Sequence, residues 1–266
     1  MIDAHCHLTV YGDEIDRAIR DIEENNMIVI AVSSDFATFQ ETKSCTEESD
    51  CIIPSFGIHP KVAQNHKNRL EEIRQQVSSA AVIGEIGLDN KSAFDESVLA
   101  SQKKVFESIL ESACECNRVV NVHCDGAEQE VLSILETYNP PGVILHGYEG
   151  PIDSLSRVID NNFMISIGRG ILEEFRERNP LWKRTREIAE TIPYDLLLVE
   201  SDVPVVTPLM MPSEMISELI DELSLLRKET AIEIAAQTRR NLREVLGSTA
   251  GLEEYCKKLR IVNSEG

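Results

Sequence analysis

The chain has 266 residues, 26 basic against 46 acidic, a formal net charge of −20 and 42% apolar residues. That apolar share can bury a core and excludes disorder as the main description, and no apolar run approaches the roughly 18–20 residues that cross a bilayer. The acidic excess argues against broad, sequence-independent binding of DNA or anionic membrane, which depends on counterion release by Lys and Arg.

The first β-type apolar run, Met1–Ala4, ends at His5-Cys6-His7. A helical pattern over Asp13–Glu24 precedes the second run, Met27–Val32, and the third, Cys51–Phe56, ends in Gly57-Ile58-His59-Pro60. Helical spacing over Asn68–Val77 leads to the fourth run, Ala80–Ile83, which ends in Gly84-Glu85-Ile86-Gly87. A long helical pattern, Glu96–Cys116, comes before the fifth run, Arg118–Val122, closed by His123. Ala127–Leu135 then precedes the sixth run, Gly142–Leu145, closed by His146. Ile152–Asp160, the seventh run Phe163–Ile167, and Trp182–Glu190 follow. The eighth run, Leu196–Val199, ends in Glu200-Ser201-Asp202, and the proline-rich Pro204–Pro212 reads as a loop over one end of the sheet. Ser213–Arg227 and Thr230–Leu246 are two further amphipathic helices.

Strand followed by helix, repeated eight times, predicts parallel strands and an α/β architecture. A closed (β/α)8 TIM-type barrel with extra C-terminal helices fits the count, and an open doubly wound sheet has the same local grammar. No Gly/Ser- or Pro-rich linker divides the chain, so residues 1–246 are expected to form one domain and 247–266 a peripheral tail. Seven cysteines without a C-x-x-C pair, and an N-terminus with neither a basic nor an apolar leader region, predict a cytoplasmic protein with reduced thiols.

Five of the six histidines close a predicted strand, and only His66 does not, which assigns His66 to the surface. In a parallel α/β fold all those strand ends share the face on which active sites are built. His5 and His7 are two apart, so strand geometry points both to one side, with Asp3, and turns Cys6 away into packing. With His123, His146, Glu85 and Asp202 they supply four imidazoles and two carboxylates, a set suited to a divalent transition metal. Six ligands exceed the needs of one tetrahedral ion. Two ions with a bridging carboxylate would use them all, and the reaction class implied is hydrolysis by a metal-activated water. Glu200 is a candidate for orienting one of the ligands.

Together Asp3-Ala4-His5-Cys6-His7, Gly57-Ile58-His59-Pro60, Ile83-Gly84-Glu85-Ile86-Gly87-Leu88-Asp89, the His123 segment, His146-Gly147-Tyr148-Glu149-Gly150, Glu200-Ser201-Asp202-Val203-Pro204 and Asn241 resemble the TatD family of metal-dependent hydrolases, part of the amidohydrolase-like barrel enzymes. The resemblance runs from residue 1 to about 246. It implies a barrel in which His5, His7, Glu85 and Asp202 hold a first metal, and Glu85, His123 and His146 a second. Glu85 would bridge, Asp202 would orient or deprotonate the attacking water, and His59 would contact the substrate. The cofactor implied is one or two divalent ions, Mg²⁺, Mn²⁺ or Zn²⁺. The activity implied is that of a phosphodiesterase or DNase, 3′–5′ exonuclease-like, acting on a nucleic acid strand end. Three positions depart from the family pattern: Asp125 replaces a usual Arg, Gly147-Tyr148-Glu149 replaces Cys-Phe-Ser, and Glu-Ser-Asp replaces Glu-Thr-Asp.

An anionic Asp125 in the substrate shell opposes phosphate, and on that ground an amidohydrolase or deacylase using the same site is the alternative. A subunit of a larger assembly, its acidic surface or tail facing a protein partner, is the third reading. Lys183-Arg184 with Arg186, Arg239-Arg240 with Arg243, and Lys61, Lys67 and Arg69 are expected to be solvated helix faces. Trp182 and Tyr148 are the candidates for base stacking. No membrane partner is expected.

Overall fold

A computed structural model describes residues 1–203, 210–247 and 249–259. Its core is a single sheet of eight parallel strands in sequential order: β1 (Ile2–Cys6), β2 (Ile28–Val32), β3 (Ile52–Phe56), β4 (Val82–Gly87), β5 (Val119–His123), β6 (Val143–His146), β7 (Met164–Ile167) and β8 (Leu197–Val199). The strands are short, rich in Val and Ile and almost wholly buried, as sheets covered on both faces must be. The chain then turns back on its beginning. The Asp202 N–H donates to the His5 carbonyl at 2.9 Å, and the buried Asp3 carboxylate accepts the Ser201 N–H and hydroxyl at 2.9 and 2.5 Å. The sheet is therefore a nearly closed barrel of the TIM type and not an open doubly wound sheet.

Between the strands lie α1 (Ile15–Glu24), α2 (Phe36–Thr46), α3 (Ala63–His66), α4 (Leu70–Ser79), α5 (Glu96–Glu115), α6 (Glu128–Tyr138), α7 (Leu155–Asp160) and α8 (Trp182–Thr191). After β8 come α9 (Pro212–Arg227), α10 (Ala231–Leu246) and α11 (Glu253–Lys258). No helix among the described residues is long and apolar enough to cross a membrane. Helix α2 is absent from the sequence expectation because its buried face is Phe39, Thr42 and Thr46, which breaks the apolar period. Its start is set by a capping box: the Asp35 carboxylate accepts the Thr38 N–H at 2.8 Å, and Thr38 Oγ1 accepts from the Asp35 N–H.

Three other expectations need adjusting. Strand β4 runs on to Gly87, so Glu85 lies inside the sheet and not just beyond it. Of the loop expected over Pro204–Pro212, residues 204–209 lie outside the described residues, and Pro212 is the first residue of α9, where a missing N–H costs nothing. His66 is half-buried, its ring 5.6 Å from that of Phe36. Asn241 has a structural position: its amide donates to the carbonyls of Tyr194 and Leu197 at 2.8 and 2.7 Å, tying α10 to the start of β8.

Two glycines let the site strands approach each other. A Cβ at Gly57 would lie 2.2 Å from the Glu85 carbonyl oxygen. Gly87, at φ +140°, pairs with His123, and a Cβ there would lie 1.9 Å from the His123 carbonyl oxygen. Gly87→Ala combines a backbone clash with a φ that L residues avoid. It is expected to lower unfolding free energy by about 3 kcal/mol or more, read as a drop in the urea midpoint. An unchanged midpoint would show that β4 and β5 can move apart at no cost.

Candidate active site

The ends of β1, β3, β4, β5, β6 and β8 bring His5, His7, His59, Glu85, His123, His146 and Asp202 around one point, and Glu85 is at its centre. Its Oε2 lies 3.1 Å from His7 Nε2 and 3.7 Å from His5 Nε2. Its Oε1 lies 2.9 Å from His123 Nδ1, 3.2 Å from His146 Nε2 and 3.3 Å from His59 Nε2. One carboxylate therefore faces two separate groups of imidazoles, one with each oxygen. Asp202 Oδ1 stands over the first group, 3.8 Å from both His5 Nε2 and His7 Nε2.

The outer nitrogens decide which inner nitrogens carry lone pairs. Asn121 donates its amide to the Ala4 carbonyl at 2.7 Å, so its Oδ1 is left to accept from His5 Nδ1 at 2.8 Å. The Nε2 of a neutral His5 is then an unprotonated acceptor aimed inward. On β6, His146 Nδ1 meets the buried Glu200 Oε1 at 3.2 Å, and Ser166 holds the other Glu200 oxygen. In a neutral His146 this leaves Nε2 unprotonated and directed inward in the same way. A carboxylate or amide behind an imidazole fixes the tautomer and ring orientation of metal-binding histidines. His59 differs, because its Nδ1 accepts the Lys61 N–H at 3.0 Å. The proton of neutral His59 therefore sits on Nε2, making it a donor toward the centre.

Burial drives His5 well below the ordinary imidazole range, with the neighbouring His146 acting in the same sense. Burial works against protonation of His146 as well, but the Glu200 and Glu85 carboxylates outweigh it and hold that ring well above the usual range. For Glu85, burial favours the neutral acid. The surrounding His123, His146, His5 and His59 overcome it and keep the carboxyl far below its ordinary value. Burial raises Asp3 to about 7.

The donor set fits a divalent cation. Among the described residues Glu85 Oε2 is buried without a hydrogen-bond partner, and imidazole nitrogens converge in pairs, His5 Nε2 with His7 Nε2 at 3.3 Å and His123 Nδ1 with His146 Nε2 at 3.2 Å. Among the described residues four groups of donors lie within 4.8 Å of one another: His5, His7 and Glu85; His5, His146 and Asp202; His59, Glu85 and His123; and Asp89, His123 and Asp125. The first three surround Glu85. Protein cations already approach the fourth, Lys91 Nζ at 2.6 Å from Asp125 and Lys61 Nζ at 3.8 Å from Asp89.

A cavity of about 450 Å³ opens beside this cluster, lined by His123, His146 and Asp202 together with residues beyond β5, β6 and β7. Several expectations about it change. Asp125 is not a free anion opposing phosphate, since the Lys91 ion pair neutralises it. Glu149 accepts from Asn179 and Thr185 at 2.7 and 2.9 Å, which fastens it toward α8. Tyr148 is 1% exposed and cannot stack on a base. Trp182 already has two cationic partners, the guanidinium carbons of Arg176 and Arg186 lying 5.4 and 4.9 Å from its ring centre.

The basic clusters are largely spent on the protein itself. Arg186 pairs with Glu222, Arg69 with Glu72, and Arg239 donates to the Met1 carbonyl. Cys6 is fully buried, as expected from strand alternation. Asn121 and Ser166 were absent from the candidate set. Their signal was a polar residue inside an apolar run: Asn121 is two before His123, hence on the same strand face.

These features can be set beside known proteins. The model of the family described as TatD related DNase matches residues 2–247. The chain is 29% identical over 217 residues to the uncharacterized metal-dependent hydrolase YabD of Bacillus subtilis, covering 78% of this chain and 82% of that protein. It is 27% identical over 251 residues to the 3′-5′ ssDNA/RNA exonuclease TatD of Erwinia tasmaniensis, covering 88% and 92%. The crystal structure of the TatD homolog YJJV from Escherichia coli superposes with a TM-score of 0.80 at 21% identity, over 92% of this chain and 97% of that one.

Proposed function

We propose that this chain, which belongs to the TatD-related DNase family of metal-dependent hydrolases, is a phosphodiesterase that removes nucleotides from the 3′ end of a nucleic acid strand. The observation that carries the reading is the division of Glu85, with Oε2 facing His5 and His7 and Oε1 facing His123 and His146. Family membership and relatives named as ssDNA/RNA exonucleases support the choice of phosphodiester over amide. Pairing of Asp125 with Lys91 supports it too, because it removes the charge that opposed phosphate.

In this reading His5, His7, Glu85 and Asp202 hold one divalent ion, and Glu85, His123 and His146 a second. Bound there, the ions supply Lewis-acid polarisation of the phosphoryl oxygen and lower the pKa of water. Asp202, its side chain 43% exposed, is the carboxylate of the set that solvent reaches, and it orients the attacking water and takes its proton. His59 Nε2–H donates to a non-bridging phosphoryl oxygen. Asn121 and Glu200 keep His5 and His146 facing inward throughout. Residues 1–246 form the hydrolase unit, with 247–266 as its tail. We assign the chain to the cytoplasm, a reducing setting in which its cysteines stay as thiols.

Protein stripped with EDTA is expected to lose activity on a 3′-labelled single-stranded oligonucleotide and to regain it with Mg²⁺, Mn²⁺ or Zn²⁺. A panel of acyl esters and amides run in parallel is expected to stay uncleaved. Hydrolysis of the panel with no oligonucleotide cleavage would move the assignment to an amidohydrolase.

A further inference from the structure

We propose that Arg178 and Arg169 form an oxyanion subsite in the cavity beside the candidate metal cluster, holding the phosphate upstream of the one being cleaved. The identity of this ligand rests on the phosphodiesterase reading; the anion chemistry of the subsite does not.

Arg169 opens the turn after β7, is 7% exposed and lines the cavity. Among the described residues only Nη2 of its guanidinium is engaged, 2.6 Å from Glu174 and 3.6 Å from Glu218, while Nε and Nη1 are buried with no hydrogen-bond partner. Buried guanidinium donors left without acceptors are costly, and a ligand oxygen supplies what the protein does not. Phe175 fixes the group in place, with its ring 5.3 Å from the Arg169 guanidinium carbon. The same turn carries Arg178, whose N–H donates to the Phe175 carbonyl at 2.9 Å. Arg178 lines the cavity, and among the described residues its exposed guanidinium makes no ion pair.

Apart from Asp202, which belongs to the metal cluster, the carboxylates of the cavity wall have partners: Asp125 has Lys91, Glu149 has Asn179 and Thr185, and Glu200 has His146 and Ser166. Glu128 accepts the Gly126 N–H at 3.3 Å. The donors left over on the β7 side of the cavity are thus those of Arg169 and Arg178, in a chain whose net charge is −20. A planar guanidinium with two free N–H groups suits a tetrahedral oxyanion better than any neutral group.

Two measurements on the full chain test the subsite. In EDTA, calorimetric titration with pyrophosphate is expected to show binding that Arg178→Ala weakens at least fivefold. Arg169→Lys is expected to weaken it similarly. No binding to the wild type, or equal binding to the variants, overturns the proposal. With Mn²⁺, two substrates are compared: the p-nitrophenyl ester of thymidine 5′-phosphate, whose one phosphate is the one cleaved, and a thymidine dinucleotide bearing an additional 5′-phosphate. The ratio of kcat/KM for the dinucleotide to that for the ester is expected to fall at least fivefold in Arg178→Ala. An unchanged ratio overturns the assignment to the upstream phosphate. If pyrophosphate binding depends on Arg178 while neither ester is cleaved with any metal, the subsite stands and the phosphodiesterase reading falls.

Discussion

Glu85→Gln is expected to remove bound metal and hydrolysis together, the largest effect of any single substitution in this protein. Gln preserves the shape of the side chain and the space it fills, so the change isolates charge. In the wild type both carboxylate oxygens face imidazole nitrogens, Oε2 on one side and Oε1 on the other. An amide offers one weaker acceptor and one donor, and whichever way it flips one group of imidazoles meets N–H atoms. Both proposed ion positions would lose a ligand. Loss of an outer partner alone costs roughly 10–100-fold in affinity or activity at metal sites, so loss of a shared inner one is expected to reduce turnover by about 10³-fold or more. Elemental analysis of purified Glu85→Gln should find less than a tenth of the metal per chain found in the wild type. Wild-type metal content with wild-type turnover would end the bridging assignment.

Asp202→Asn is the second large effect and has a different signature. Asp202 has a positive φ of 41°, a conformation Asn adopts as readily as Asp. The backbone is undisturbed and only the proton acceptor is lost. The position formed by Glu85, His123 and His146 keeps all its ligands. At saturating metal, kcat is therefore expected to fall about 10²–10⁴-fold, the usual worth of a positioned general base, while no more than one ion per chain is lost. A kcat within threefold of the wild type would assign the proton to another group.

The strand ends were legible because chemistry punctuated them. Histidines at four run ends, and acidic residues near two others, mark one face of a barrel even when the run boundaries are off by a residue or two. Glu85 illustrates the limit: Gly84 and Gly87 read as the end of a strand, whereas here they are glycines within β4 that let its neighbours approach. Helix α2 went unseen for the converse reason, since threonines on its buried face leave no apolar stripe. The substrate shell was read least well, because a side chain's partner decides its meaning there. Asp125 as a letter is an anion; beside Lys91 it is neutralised. Tyr148 as a letter is a stacking surface; folded inward from the loop after β6 it is core.

The seam between β8 and β1 has a consequence for how the protein matures. Asp3, His5 and Asp202 come from opposite ends of the chain and meet through hydrogen bonds spanning 198 residues, Ser201 to Asp3. A polypeptide still emerging from the ribosome, with everything past Val199 yet to be made, has no Asp202 beside His5 and no Ser201 to fasten β8 to Asp3. Unfinished or truncated copies are therefore incapable of assembling the centre, and synthesis ends before a hydrolase exists. Contacts this distant also form slowly, so ion uptake should trail chain release and serve as a clock for completed folding.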